Sequence, residues 1–145
     1  RLQSYINNEP FMLTYGDAVS DVNIKELLSF HKKHGKIGTV TSVRPVARFG
    51  ELSFKKNNIV SSFKEKPQTS QGWINGGFFI FEYEFFNYIK DDLTILEKEP
   101  LENLSNNLNL VAFKHHGFWQ SMDTVRDRNL LEDMCLENNT PWLVK

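Results

Sequence analysis

Two acidic residues follow predicted strands, and their positions indicate a metal–phosphate site. Asp17 follows the apolar run at residues 11–15, across Gly16, and Asp123 ends the run at residues 117–122 just before a predicted helix. Ligands of a parallel sheet generally bind beyond the carboxyl ends of its strands, so both carboxylates would face one ligand. Mg²⁺ prefers a few carboxylates together with waters and phosphate oxygens. A turn capped by Asp17 and a helix capped by Asp123 remain the alternatives.

Further candidate contacts lie between these two positions. Lys66 stands beside a proline at the end of a predicted hairpin, where its ammonium could hold a phosphate while Glu65 accepts hydroxyl hydrogens. Gly76 and Gly77 interrupt an aromatic strand, which indicates close approach of a ligand to the backbone, with Asn75 available to pair with hydroxyls. The alternatives are a solvated charged turn and a β-bulge.

Other chemistries find little support. His31 and His34 share a helix face but have no acidic or cysteine neighbours in the sequence, and His115 and His116 would point to opposite faces of a strand. A zinc site is therefore not expected. Cys135 is the lone cysteine, which excludes a disulfide framework. It lies on an apolar helix face and is therefore expected in the protein core. No Ser-His-Asp or Cys-His pattern is present.

Composition bounds the class of protein. The chain has 145 residues, of which 40% are hydrophobic and 24% charged, which is typical of one globular domain or part of one. Its net charge of −1 gives no general attraction for nucleic acid. The longest apolar run, residues 78–81, is far too short for a membrane span, and without a signal peptide the cytoplasm is the expected location.

Periodicity and turn residues predict an α/β order of elements. A strand at 11–15, a helix capped by Asp21 and stopped by Gly35, and a strand at 37–43 form a βαβ unit. The remaining predicted elements are a hairpin of 51–54 with 59–63, a strand at 73–81, a short helix at 83–89, a helix from Pro100 to about 104, strands at 110–115 and 117–122, and an amphipathic helix at 124–138.

Taken together, these segments resemble the sugar-phosphate nucleotidyltransferases. The resemblance covers essentially the whole chain, with its segments in the right order and spacing. The segments that carry it are 11–17 (FMLTYGD), 41–45 (TSVRP), 48–52 (RFGEL), 63–67 (FKEKP), 73–79 (WINGGFF) and 118–124 (FWQSMDT), and 97–102 (EKEPLE) and 139–142 (NTPW) also fit.

The resemblance implies roles for individual residues. Asp17 and Asp123 fall on the two aspartates that bind Mg²⁺, the implied cofactor, and Lys66 falls on the lysine that contacts the sugar phosphate. The residues that would hold the hexose hydroxyls are Gly50, Glu65, Asn75 and Gly76. Thr14 would lie beside the nucleotide and Arg44 near the sugar phosphate. Ala18 replaces a glycine of the family, which would cause strain if that position requires a positive φ.

The resemblance also implies the fold and the reaction. The expected fold is a Rossmann-like nucleotidyltransferase fold with a mixed, mainly parallel central sheet. Residues 1–145 would form a single partial domain that lacks the first strand–helix units and their glycine-rich loop. The implied substrates are CTP and glucose 1-phosphate, and the implied products CDP-glucose and pyrophosphate, in a homo-oligomer without nucleic-acid or membrane partners. A binding domain without turnover and a glycosyltransferase using a nucleotide sugar remain the alternatives.

Overall fold

A computed structural model describes residues 2–46, 51–64 and 72–143 of the chain. The strands in these ranges are β1 (Phe11–Thr14), β2 (Ala18–Ser20), β3 (Gly38–Val43), β4 (Glu51–Phe54), β5 (Val60–Lys64), β6 (Ile74–Phe81), β7 (Leu110–Lys114) and β8 (Trp119–Ser121). The helices are α1 (Ile24–His34), α2 (Glu99–Asn106) and α3 (Val125–Leu136), with 3₁₀ helices at Leu2–Tyr5, Lys56–Asn58 and Tyr83–Tyr88. Each predicted strand and helix is present, with ends shifted by a few residues.

The central sheet has the strand order β1-β6-β3-β7. β6 is antiparallel to both of its neighbours, whereas β3 and β7 are parallel, so β1, β3 and β7 all run in the same direction. The prediction of a mixed sheet is therefore confirmed: three of its four described strands run in one direction, although two of the three pairings are antiparallel. β1 and β3 are parallel as the βαβ pattern predicts, but β6 lies between them. The mostly buried, aromatic sequence of β6 suits this interior position.

Two smaller antiparallel pairs complete the strand pairing. β4 and β5 form the predicted hairpin, and β2 pairs with β8. Ala18 lies in β2, and it is not among the described residues with a positive φ. The strain considered for an alanine at this position is therefore absent.

The cap of α1 corrects the sequence prediction. Asn23, and not Asp21, is the N-cap, because its side chain accepts hydrogen bonds from the backbone N–H groups of Lys25 and Glu26. The Asp21 carboxylate lies instead 2.8 Å from Nε2 of His115. Gly35 ends the helix in the left-handed conformation, as predicted.

The core is aromatic and lies between the sheet and the segment that follows β6. Phe79 and Phe81 of β6 pack with Phe85 and with Leu104 of α2, and the ring centroids of Phe81 and Phe85 are 3.9 Å apart.

By contrast, Cys135 on α3 is exposed, so its predicted place in the core is wrong. The spacing of apolar residues predicts which face of a helix is apolar, but not whether another element covers that face. None of the described helices combines the length and the hydrophobicity of a membrane-spanning segment.

A buried polar cluster joins α1 to the sheet. Oγ1 of Thr39 lies 2.7 Å from Nδ1 of His31 and 2.7 Å from Nε2 of His34, while Nε2 of His31 lies 3.1 Å from Oε1 of Glu82. The tertiary fold thus supplies His31 with an acidic neighbour that local sequence did not show. Burial, and secondly the proximity of His31, lower the pKa of His34.

Stability is expected to fall as the pH drops below about 6.5, the ordinary pKa of histidine. Because the pKa of His34 is lowered in the folded chain, the unfolded chain binds this proton more readily. The free energy of unfolding therefore rises with pH between the lowered value and about 6.5, and His34 adds no slope above that interval. Urea unfolding across this range checks the prediction. His34→Gln should flatten the slope and His116→Gln, at an exposed position, should keep it; an unchanged slope in His34→Gln would contradict the assignment.

Candidate functional site

The candidate ligand-binding residues lie at one edge of the central sheet. β1 and β3 both end there, which places Asp17 and Arg44 just beyond their carboxyl ends. β6 runs in the opposite direction and therefore begins at the same edge, where Asn75 pairs with Ser42 of β3. The structure thus gathers residues that are far apart in sequence beside one surface.

The pairing of β2 with β8 brings Asp17 and Asp123 together. Ala18 pairs with Ser121, and the backbone N–H of Met122 donates a 2.7 Å hydrogen bond to the carbonyl of Asp17. Asp123 is the next residue along the chain. The two carboxylates therefore arise from adjacent positions of one antiparallel pair.

Neither aspartate acts as a cap. Thr124 is the N-cap of α3, in a reciprocal capping box with Asp127. In the part of the chain that the structure describes, the side chains of Asp17 and Asp123 form no hydrogen bond or ion pair, and both residues are exposed. Hard oxygen ligands without protein partners fit a divalent cation such as Mg²⁺.

An open cleft of about 470 Å³ adjoins Asp17 and is lined by Tyr15, Gly16, Asp17 and Glu97. The Tyr15 hydroxyl donates a hydrogen bond to Oε1 of Glu97 and accepts one from Nδ2 of Asn75, with a nitrogen–oxygen distance of 3.1 Å. Burial, followed by the hydrogen bond to the Glu97 carboxylate, raises the pKa of Tyr15 to about 12. Tyr15 is therefore neutral at physiological pH, and its phenol forms hydrogen bonds at the wall of the cleft.

The two glycines of β6 have a structural reason. The register between β3 and β6 shifts between Val40 and Ser42, an irregularity of the kind expected from the β-bulge considered as the alternative for these glycines. A Cβ on Gly76 would lie 2.8 Å from Cγ1 of Val43. At Gly77, φ is +78° and a Cβ would lie 2.7 Å from Cδ2 of Tyr15. Close approach of neighbouring protein chain therefore accounts for both glycines.

Trp119 fixes the small sheet against the large one. Its indole Nε1–H on β8 donates a 2.8 Å hydrogen bond to the carbonyl of Gly76 on β6. Because Asp123 follows two residues after the end of β8, this bond helps to fix the backbone that leads to it. Sequence reasoning missed Trp119, although an indole donor directly before the QSMD run at residues 120–123 was an available signal.

The variant Trp119→Phe is expected to lower the free energy of unfolding by about 1–2 kcal/mol, because the half-buried indole donor is lost and a buried carbonyl is left without its partner. Chemical denaturation of the chain measures this difference. Trp142→Phe is the matched control, since within the described residues Trp142 stacks on Phe118 and makes no hydrogen bond through its indole. Equal losses for the two variants would contradict a specific role for the Trp119 bond.

Cationic side chains surround a tryptophan at the same edge. The guanidinium carbon of Arg44 lies 4.6 Å from the ring centroid of Trp73, and Nζ of Lys114 lies 5.5 Å from it. His116 contacts the same ring edge-on, with centroids 5.1 Å apart. Both cations lie close to one aromatic ring, which concentrates positive charge at this edge of the sheet, where an anionic ligand could bind.

The remaining predicted site residues are divided between this edge and the undescribed segments. Thr14 ends β1, where its hydroxyl donates to the carbonyl of Tyr15 with an oxygen–oxygen distance of 3.0 Å. Gly50, Glu65 and Lys66 lie outside the described residues. Besides Trp119, sequence reasoning missed Tyr15, Trp73 and Glu97 as parts of the site, because their roles depend on contacts with distant segments.

Known proteins are similar to this chain over most of its length. The family model for nucleotidyl transferases matches residues 2–123. The glucose-1-phosphate cytidylyltransferase of Salmonella typhimurium is 43% identical over 143 residues, which cover 98% of this chain and 55% of that protein. The mannose-1-phosphate guanylyltransferase catalytic subunit beta of Drosophila melanogaster is 34% identical over 133 residues, covering 90% of this chain and 36% of that one. The chain thus spans about half the length or less of these relatives.

Solved structures share the fold. HddC from Yersinia pseudotuberculosis has a TM-score of 0.62 and 19% identity, covering 89% of this chain and 56% of its own. The same protein complexed with GMP-PN gives a TM-score of 0.61 at 20% identity. Together with the mixed sheet, this likeness confirms the predicted Rossmann-like nucleotidyltransferase fold.

Proposed function

Because the chain belongs to the nucleotidyl transferase family, we propose that it forms the sugar-phosphate-binding part of an enzyme that makes CDP-glucose and pyrophosphate from CTP and glucose 1-phosphate. The observation that supports the proposal is the pairing of β2 with β8, which puts the backbone of Asp17 opposite Met122, the residue before Asp123. The side chains of Asp17 and Asp123 have no partner among the described residues. The identity with the Salmonella cytidylyltransferase supports the choice of substrates.

The reaction needs no nucleophile from the protein. A phosphate oxygen of glucose 1-phosphate attacks the α-phosphorus of CTP in line, the bond from that phosphorus to the β,γ-diphosphate breaks, and pyrophosphate leaves. The attacking group is already an anion, so the protein must align two repelling anions and neutralise charge on the transferring group.

Asp17 and Asp123 are the residues that would hold Mg²⁺. When bound, the cation supplies positive charge to the phosphate oxygens of the transferring group. Two exposed carboxylates on a fixed backbone pair suit this task, because the cation keeps most of its remaining positions for waters and phosphate oxygens.

The other residues bind and orient the sugar phosphate. In the proposal, Lys66 holds the attacking phosphate, and Arg44 adds positive charge near it from its place against Trp73. Asn75, Glu65 and the backbone at Gly50 and Gly76 hold the hexose hydroxyls. Thr14 lies beside the nucleotide.

Calorimetric titration of this chain with CDP-glucose and Mg²⁺ tests the proposal, with UDP-glucose and CMP as comparison ligands. We expect the chain to bind both sugar nucleotides and not CMP, because all the proposed sugar-phosphate contacts belong to this chain. A folded chain that binds none of these ligands would contradict the proposal. CDP-glucose binding without pyrophosphate release by the complete gene product would favour a binding domain, and transfer or hydrolysis of CDP-glucose would favour a glycosyltransferase.

Assembly into a homo-oligomer is part of the same proposal. Exposed apolar side chains on α3, among them Val125, Leu130 and Leu136, supply surface that association could bury. Light scattering of the purified chain measures its mass in solution. A monomeric mass at micromolar concentration would contradict assembly through this part of the protein.

A further inference from the structure

A line of hydrogen bonds runs from the rim of the cleft to the backbone of β6. Glu97, in the segment before α2, accepts a hydrogen bond from the hydroxyl group of Tyr15. The Tyr15 oxygen accepts from Nδ2 of Asn75, and Oδ1 of Asn75 accepts from the backbone N–H of Gly77 at 2.8 Å. The backbone N–H of Tyr15 in turn donates to the carbonyl of Gly77 at 2.9 Å, which closes a ring of contacts between β1 and β6.

The chemistry of each group in this line decides which atom donates and which accepts each hydrogen bond. The N–H of Gly77 is only a donor, so the group of Asn75 that faces it is the amide oxygen, and the NH₂ group therefore faces Tyr15. The phenol oxygen accepts from that NH₂ group and must direct its own proton elsewhere. A carboxylate is only an acceptor, and Glu97 lies where that proton points.

The arrangement leaves Asn75 with defined capacity for a ligand. One amide hydrogen and one lone pair of Oδ1 are not used by these contacts, and Asn75 is exposed at the cleft edge. A sugar hydroxyl both donates and accepts, so it can use both. The Tyr15 ring is itself held on two sides, by Phe79 with centroids 5.5 Å apart and by the close approach of Gly77.

We propose that Glu97 is a positioning residue for sugar-phosphate binding, which acts through the Tyr15 hydroxyl to hold the Asn75 amide in one orientation. This inference rests on the proposed function, in which Asn75 contacts the hexose. Without an acceptor at position 97, the phenol proton turns to solvent, the Tyr15–Asn75 bond loses its fixed geometry, and the amide rotates more freely before a ligand binds. Ordering that amide then reduces the affinity for the sugar.

The variants Glu97→Ala and Tyr15→Phe test this role through the affinity of the chain for glucose 1-phosphate in the presence of Mg²⁺. Each is expected to weaken binding by about tenfold, the effect of one ordinary hydrogen bond. The double variant should be no weaker than either single one, because both changes break the same line of contacts. Glu97→Gln should retain most of the affinity, since its amide oxygen can still accept the Tyr15 proton.

Glu99→Ala is the matched control, because Glu99 lies two residues away in an exposed ion pair with Lys90. Wild-type affinity in that variant is expected. If Glu97→Ala weakens the affinity for glucose 1-phosphate as much in the Tyr15→Phe background as in the wild type, the inference is overturned, since Glu97 would then contact the ligand directly. Unchanged affinity in Glu97→Ala would overturn it as well.

A second measurement requires no ligand. Chemical denaturation of Glu97→Ala, Tyr15→Phe and the double variant should show coupled losses in the free energy of unfolding, because both single changes break the same Tyr15–Glu97 hydrogen bond. A chain that shows this coupling but binds no glucose 1-phosphate would refute the proposed function while leaving the Glu97–Tyr15 contact established. A chain that binds the ligand but shows no coupling would refute the inference alone.

Discussion

Replacing Asp17 by Asn is expected to lower the turnover of the complete gene product that carries this sequence by about 100- to 1,000-fold. Asparagine keeps the size of the side chain but removes the negative charge that would help to hold Mg²⁺ against the transferring phosphate. Asp123→Asn should have a comparable effect, because the two carboxylates arise from adjacent positions of the β2–β8 pair. Pyrophosphate release at saturating CTP and glucose 1-phosphate measures the turnover.

The expected loss is specific to the step that uses the cation. The KM for glucose 1-phosphate should change by less than about threefold in these two variants, whereas Lys66→Ala should chiefly raise that KM. Asp133→Asn is the matched control, because Asp133 is an exposed carboxylate on α3 away from the cleft. Wild-type turnover in Asp17→Asn would refute the assignment of this residue as a cation ligand.

Gly77→Ala is expected to destabilise the chain by about 3 kcal/mol, the largest effect on folding among the variants considered. Alanine at φ +78° costs roughly 1–2 kcal/mol. Its Cβ would also lie 2.7 Å from the Tyr15 ring, and relieving such crowding typically costs about 1–3 kcal/mol more. The free energy of unfolding from denaturant titration measures the total.

Three further glycine variants separate the two causes. Gly35 has φ +62° with open space around it, so Gly35→Ala should show the backbone cost alone. Gly76→Ala should show crowding alone, since its Cβ would meet Val43 at 2.8 Å. Gly16 has neither constraint, and Gly16→Ala should be close to neutral. A loss at Gly77 no larger than at Gly35 would show that the strand has room to shift and that Tyr15 is not tightly held.

Local sequence predicted the elements well because each has a local cause. The strands are short runs of apolar and β-branched residues, and α1 ends at a glycine in the left-handed conformation. The prediction of Asp21 as the N-cap of α1 was wrong because Asp21 and Asn23 are both good capping residues. The choice between them depends on His115, which is far along the chain and occupies the Asp21 carboxylate.

The order of the strands was beyond local reasoning. The βαβ pattern predicted correctly that β1 and β3 are parallel, but only the tertiary structure inserts β6 between them. Likewise, the apolar spacing of α3 predicted a face for the core, whereas Leu136 and Cys135 are exposed. Both outcomes are set by which distant element packs on a surface, and periodicity contains no information about that partner.

By itself, the sequence determined most of the secondary structure, though not β2, together with the family resemblance and the sheet edge that carries the candidate ligand-binding residues. These follow from side-chain type and order along the chain. Only the tertiary structure decided that Asp17 adjoins Asp123, that Trp119 ties β8 to β6, and that Glu97 reaches Tyr15. These contacts join segments separated by about 80 or more residues, or by 43 in the case of Trp119, and they form only when the strands are assembled. Their geometry depends on the register of strand pairs, which a one-dimensional pattern does not specify.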